Sequence, residues 1–138
     1  MRRLAQACKF LHHIESVART ATTAIKGDAV ATNGYAGVLA ICKLDAIGAA
    51  CTADFKLQHS DTTTDGDFTD IAGAAAVQLG ASDDNKVAVI DVLPTKKYIR
   101  AVHTPGGTVA NGVTGGVVLA LYRPDVEPVV NTPAAVVV

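Results

Sequence analysis

Short apolar runs alternate with polar positions along most of the chain, and turn residues interrupt them every 8–12 positions or so. Ala53–His59 shows the cleanest alternation, with Phe55, Leu57 and His59 on one face and Asp54, Lys56 and Gln58 on the other. That period predicts a half-buried strand. Lys86–Leu93 predicts another, ending at Pro94, and Tyr98–His103 a third with Tyr98, Arg100 and Val102 on one face. Gly116–Tyr122 is stopped by Arg123-Pro124. Tyr35–Asp45 is apolar on both alternating faces, as in a strand covered on both sides. Gly34, Gly37 and the β-branched Val38 and Ile41 favour strand over helix there. Weaker extended pieces lie at 20–25, 29–32, 68–71 and 74–79, with turns at Asn33-Gly34 and 60–66, and loops at 80–85 and 104–114. The prediction is an all-β fold: an antiparallel, jelly-roll-like β-sandwich of about seven or eight short strands. No helices alternate with the strands as a parallel sheet would require.

The two ends read differently. Leu4, Ala7, Cys8, Leu11, Ile14 and Ala18 fall at helical spacing, so a short amphipathic helix fits residues 3–19, and an extended arm fits too. Burying Leu4, Phe10, Leu11, Ile14 and Val17 yields roughly 1.5–3 kcal/mol each. Ordering the backbone costs roughly 1–2 kcal/mol per residue. The segment cannot hold one shape alone and must pack on its own domain, a second copy or another protein. The stretch after Pro124 has two further prolines and ends in Val136-Val137-Val138, which excludes a central strand. The expected division is an arm over 1–20, a sandwich over 21–124 and an extended tail over 125–138.

Composition narrows the classes. The 138 residues are 49% hydrophobic, 18% charged and 4% aromatic, with no Trp. Small side chains dominate, so the core should be thin. The net charge of −1, with no basic stripe, argues against nucleic-acid binding. No apolar run reaches the roughly 18–20 residues that span a bilayer. Charged and His residues interrupt the start before an h-region forms, so no signal peptide is expected. Cys8, Cys42 and Cys51 form an odd set without CxxC, which suits a reducing cytoplasm during synthesis.

Motifs for chemistry are thin. Asp61, Thr63, Asp65, Gly66 and Asp67 partly fit a calcium loop, but the twelfth position is Ala72, and a hairpin turn explains the same residues. His12, His13, His59 and His103 have no metal-ligand spacing. There is no GxSxG, and 106–116 matches no phosphate loop. The expectation is no enzyme activity, no metal and no cofactor.

One combination is more distinctive. Phe55-Lys-Leu-Gln-His-Ser-Asp61 is followed by Phe68-Thr-Asp-Ile71, then by Thr95-Lys-Lys-Tyr-Ile-Arg100, then by Val117–Pro124. Over roughly residues 1–124 this order resembles small tailed-bacteriophage virion proteins of the capsid decoration or cement type. The longer Pro/Val tail and the Ala-rich strands depart from that group. The resemblance implies a β-sandwich structural protein on the capsid surface of the virion, made in the host cytoplasm. Its implied partners are the major capsid protein and other copies of itself, without nucleic acid or membrane. Physically, the motif reads as a folding element, with Lys56 and Gln58 turned away from the core. The expected contact residues are Arg2, Arg3, Leu4, Phe10, Leu11, Ile14 and Val17 in the N-terminal segment. The alternative is a carbohydrate- or receptor-binding module of a head fibre or tail appendage, which the scarcity of aromatic platforms disfavours.

Overall fold

A computed structural model of the chain describes residues 3–131. Two antiparallel sheets face each other. The first contains β1 (Cys8–Arg19), β4 (Tyr35–Ile47), β8 (Lys86–Val92) and β10 (Val113–Pro124), in the order β1-β10-β4-β8. The second is centred on β5 (Cys51–Ser60) and β9 (Tyr98–Gly107). β2 (Ile25–Lys26) and β3 (Val30–Ala31) share the free edge of β9, while β6 (Thr69–Ala75) and β7 (Leu79–Gly80) share that of β5. With each edge pair counted as one interrupted strand, both sheets are four strands wide. Successive strands interleave between them, which is jelly-roll topology.

The sheets close on Val38, Ala40, Cys42 and Leu44 of β4, Phe55 and Leu57 of β5, Ile99 and Ala101 of β9, and Val117, Leu119 and Leu121 of β10, all buried. Ala at facing positions keeps this core thin. The three cysteines are buried and free, Cys42 and Cys51 as small core hydrophobes, and burial pushes the Cys42 thiol up to about 12.

The N-terminal segment is neither a long helix nor a detached arm. Only α1 (Leu4–Ala7) is helical, and Cys8–Arg19 is a full strand paired with β10. Leu11, Ile14 and Val17 lie opposite Leu119, Val117 and Gly115, with register shifts between His12 and Ile14 and between Ile14 and Val17. Each irregularity inserts residues, so side chains three apart return to the core face. Two bulges thus imitate a helical period. Of the three possible docking surfaces, the segment from residue 8 onward uses its own domain.

β9 also runs further than its pattern suggests, through Pro105 to Gly107, opposite Cys51–Ala53. Ala101 offers its N–H and carbonyl to the outer edge, to His13 and Gly27. By alternation the nitrogen of Pro105 faces that same edge, where pairing with β2 stops at His103. The missing N–H therefore costs no ladder bond. After β10 the chain turns back along β1. Val129 N–H donates to the Gln6 carbonyl (2.9 Å), and the Asn131 side chain accepts from Phe10 N–H (2.8 Å) and donates to the Ala5 and Cys8 carbonyls. Residues 132–138 of the expected tail lie outside the described residues.

Candidate functional site

Two outward faces carry the distinctive residues. On the second sheet, Arg100 points outward from β9 yet is only 5% exposed. The 61–68 segment folds over it. Its guanidinium lies 4.1 Å from the centroid of the Phe68 ring, donates to Gln58 Oε1 (2.9 Å) and pairs with Asp65. Lys26 reaches Asp65 from β2 (3.1 Å). Gln58 Nε2 then donates to Asp70 (2.8 Å), which also pairs with Lys56 (2.8 Å). Hydrogen bonds from Arg100 and Lys26 hold the Asp65 carboxyl below its usual range, and those from Lys56 and Gln58 do the same for Asp70. Asp61 accepts from the Lys97 N–H and Asp67 from the Thr62 hydroxyl. The acidic turn that partly fits a calcium loop therefore has its carboxylates spread among separate donors. Among the described residues, no three or more His, Cys, Asp or Glu side chains converge to hold a metal ion.

The first sheet presents an apolar outer face. Strand pairing aligns three cross-strand rows. Cys8, Tyr122 and Gly37 form one, and Phe10, Ala120, Leu39 and Asp91 the next. His12, Val118, Ile41 and Val89 form the third, beyond which Lys43 lies beside Val87. Gly37 is required here, because a Cβ would sit 2.0 Å from the Tyr122 ring. That ring lies across the strand and its hydroxyl donates to Asp91 (2.6 Å), a bond that raises the phenol pKa. Leu4 overhangs one end of the face, forming with Cys8, Phe10, Leu39, Ile41, Ala120 and Tyr122 a groove of about 350 Å³. Leu4, Val87 and Val89 are 68%, 57% and 62% exposed. The double-sided apolar pattern of 35–45 is thus covered on its inner side only, and its outer side lies open among the described residues.

The candidate contact residues divide between the two faces. Arg2 lies outside the described residues. Arg3 is exposed at the start of α1, and Leu4 and Phe10 meet in the groove. Leu11, Ile14 and Val17 turn inward, with Ile14 only 3% exposed, so as side chains they hold the sandwich rather than a surface. The pattern in the N-terminal segment misses Leu39, Ile41, Val87, Val89 and Tyr122. The signal that marks them is apolar occupancy of both alternating positions in β4, β8 and β10.

Two histidines work inside the fold. His13 sits at the first bulge of β1 and its Nε2 accepts the Ala101 N–H (2.8 Å), so the ring is neutral. Gly27 makes room for it, since a Cβ there would lie 2.1 Å from Nε2. His103 is fully buried and stacked on Phe55, with ring centroids 4.4 Å apart and planes 12° from parallel. Burial is the largest cause that lowers each pKa from 6.5 to about 4.

No protein-family model matches the chain, and no curated protein matches it. Among solved structures, the whole chain is similar to 44% of the phage PBSX exported protein XepA, with a TM-score of 0.61 and 16% identity. The chain therefore spans less than half the length of that protein. The xylan-binding module CBM15 aligns with 91% of this chain and 96% of its own, at 12% identity and a TM-score of 0.45. The infectious bursal disease virus Gx strain structure aligns with 88% of this chain and 34% of its own, at 7% identity and a TM-score of 0.45. What the full-length likeness to XepA establishes is the architecture: the chain is a β-sandwich.

Proposed function

We propose that this chain is a structural virion protein of a tailed bacteriophage that binds the outside of the capsid and stabilises contacts between major capsid subunits. It does so without catalysis, metal or cofactor. One observation carries the reading: the residues behind the resemblance assemble into one contiguous unit. Lys56, Gln58, Asp70 and Arg100 join in a single chain of contacts, Phe68 lies over Arg100, Asp61 ties to the 95–97 segment, and Tyr98 pairs with Ser60. Their chemistry is that of a clamp on a jelly roll, with Lys56, Asp65, Asp70 and Arg100 engaged by one another and by Gln58, and this suits a rigid body used for binding. The likeness to a phage exported protein supports the same setting.

In this reading the capsid contact belongs to the end where α1, capped by Arg3, meets the 125–131 strap. β1 belongs to the sheet and Ile14 to the core, so deleting residues 2–17 would damage the fold as well as any contact. The sharper test replaces Arg2 and Arg3 by Glu and measures co-sedimentation with capsids lacking the protein. The reading expects the unaltered chain to pellet with capsids and the variant to pellet less at equal thermal stability. A folded chain that never pellets, or that gives strong hits on a glycan array instead, would remove the capsid reading.

A further inference from the structure

We propose that the outer face of the β1-β10-β4-β8 sheet is the contact between two copies of the chain, stacked face to face about a two-fold axis running across the strands. This goes beyond the capsid reading and does not depend on it. Soluble monomers rarely expose contiguous apolar patches beyond about 300–600 Å². On this face Leu4, Val87 and Val89 stand open, with Phe10, Leu39, Ile41, Val118 and Tyr122 half-buried beside them. His12, Lys43 and Asp91 rim the apolar residues, and a polar rim around an apolar centre is the anatomy of a protein–protein interface. The second sheet offers no such surface, because its outer face carries the Arg100 clamp.

Charge decides the arrangement. Lys43 lies one row beyond Ile41 on β4, and Asp91 one row before Val89 on β8. An axis through the row of His12, Val118, Ile41 and Val89 sets each of these residues over its own copy. The same rotation carries Lys43 over Leu39 of the other copy, one strand spacing, about 4.8 Å, from Asp91. Symmetry repeats the pair, and a sheet separation of about 10 Å is within reach of a lysine side chain. In the isolated chain Lys43 turns to Asp45 (2.8 Å) and Asp91 accepts from Tyr122, so both charges stay solvated until the copies meet.

Sedimentation equilibrium of the full chain from about 1 to 200 µM tests this range of affinities. The expected result is a dimer, and Val89→Lys should be monomeric with unchanged urea stability. Lys43→Glu and Asp91→Lys should each weaken dimerisation about ten-fold, and the double variant should recover most of that loss. A wild-type monomer throughout, or a dimer indifferent to Val89→Lys, overturns the proposal. A dimer in which the double variant is as weak as both losses combined overturns the two-fold stack. Capsid co-sedimentation of Val89→Lys is read separately, and its retention shows that the capsid contact and the dimer face are distinct.

Discussion

Mild acid should unfold this protein by a route its surface charges do not suggest. His13 and His103 are both held neutral, with pKa values lowered to about 4 from an ordinary 6.5, chiefly by burial. For His13, Asp28 pulls the other way and His12 adds to the lowering. For His103, the Asp54 carbonyl pulls the other way and Arg19 adds to the lowering. Protonating His13 would also aim an N–H at the Ala101 N–H it now accepts. Between pH 6.5 and 4 the unfolded chain binds more protons than the folded one. Stability is therefore complete above pH 6.5 and falls as pH drops toward 4. The interval corresponds to about 3 kcal/mol for each ring, about 6 kcal/mol in all. A domain of this size is typically stable by about 5–15 kcal/mol, so the loss decides whether it stays folded. The lowered carboxylates, Asp45, Asp65, Asp70 and Asp83, release their share only below that window, as pH falls through their depressed pKa values. Urea unfolding followed by circular dichroism between about pH 7.5 and 4.5 measures the slope. His103→Phe keeps an aromatic ring against Phe55 and should roughly halve it. A stability that stays flat across this range, or a slope unchanged by His103→Phe, would refute the reasoning.

Three further outcomes follow from particular contacts. Arg100→Ala removes the stacking on Phe68 and the bond to Gln58 beneath the 61–68 segment, and should cost about 2–3 kcal/mol in urea unfolding while raising amide exchange across 61–68. Gly27→Ala places a methyl on the His13 ring and should destabilise by about 1–3 kcal/mol, with partial recovery in a Gly27→Ala, His13→Ala pair read by thermal melts. Leu57→Ala empties a fully buried site between the sheets and should cost about 2–5 kcal/mol by the same measurement.

The strands were legible where an apolar or alternating run stops at turn residues or proline. Ala53–His59, Tyr98–His103 and Gly116–Tyr122 lie in strands, β8 takes all of Lys86–Leu93 except Leu93, and in Ala53–His59 a period of two admits one burial pattern. The N-terminal segment misled because bulges add residues without adding side chains to the core, so Leu11, Ile14 and Val17 kept helical spacing inside a strand. Strand β9 outran its prediction because a proline at a free edge gives up no bond, and composition alone does not reveal which edge is free. The clamp was half visible: Lys56 and Gln58 were turned outward by alternation. That Arg100 would be roofed by Phe68 depends on a loop folding back, which no local pattern encodes. The open apolar face was misread for a related reason. Residues apolar on both sides predict two covered faces, and among the described residues only the inner face of this strand is covered.

The most direct test of the central claim is saturable binding of the purified chain to capsids that lack it, followed by co-sedimentation and quantified per capsid subunit. The account predicts a plateau at a fixed stoichiometry, together with a rise in the capsid's disruption temperature. A folded chain that stays in the supernatant at every concentration, leaving the capsid's stability unchanged, would contradict it.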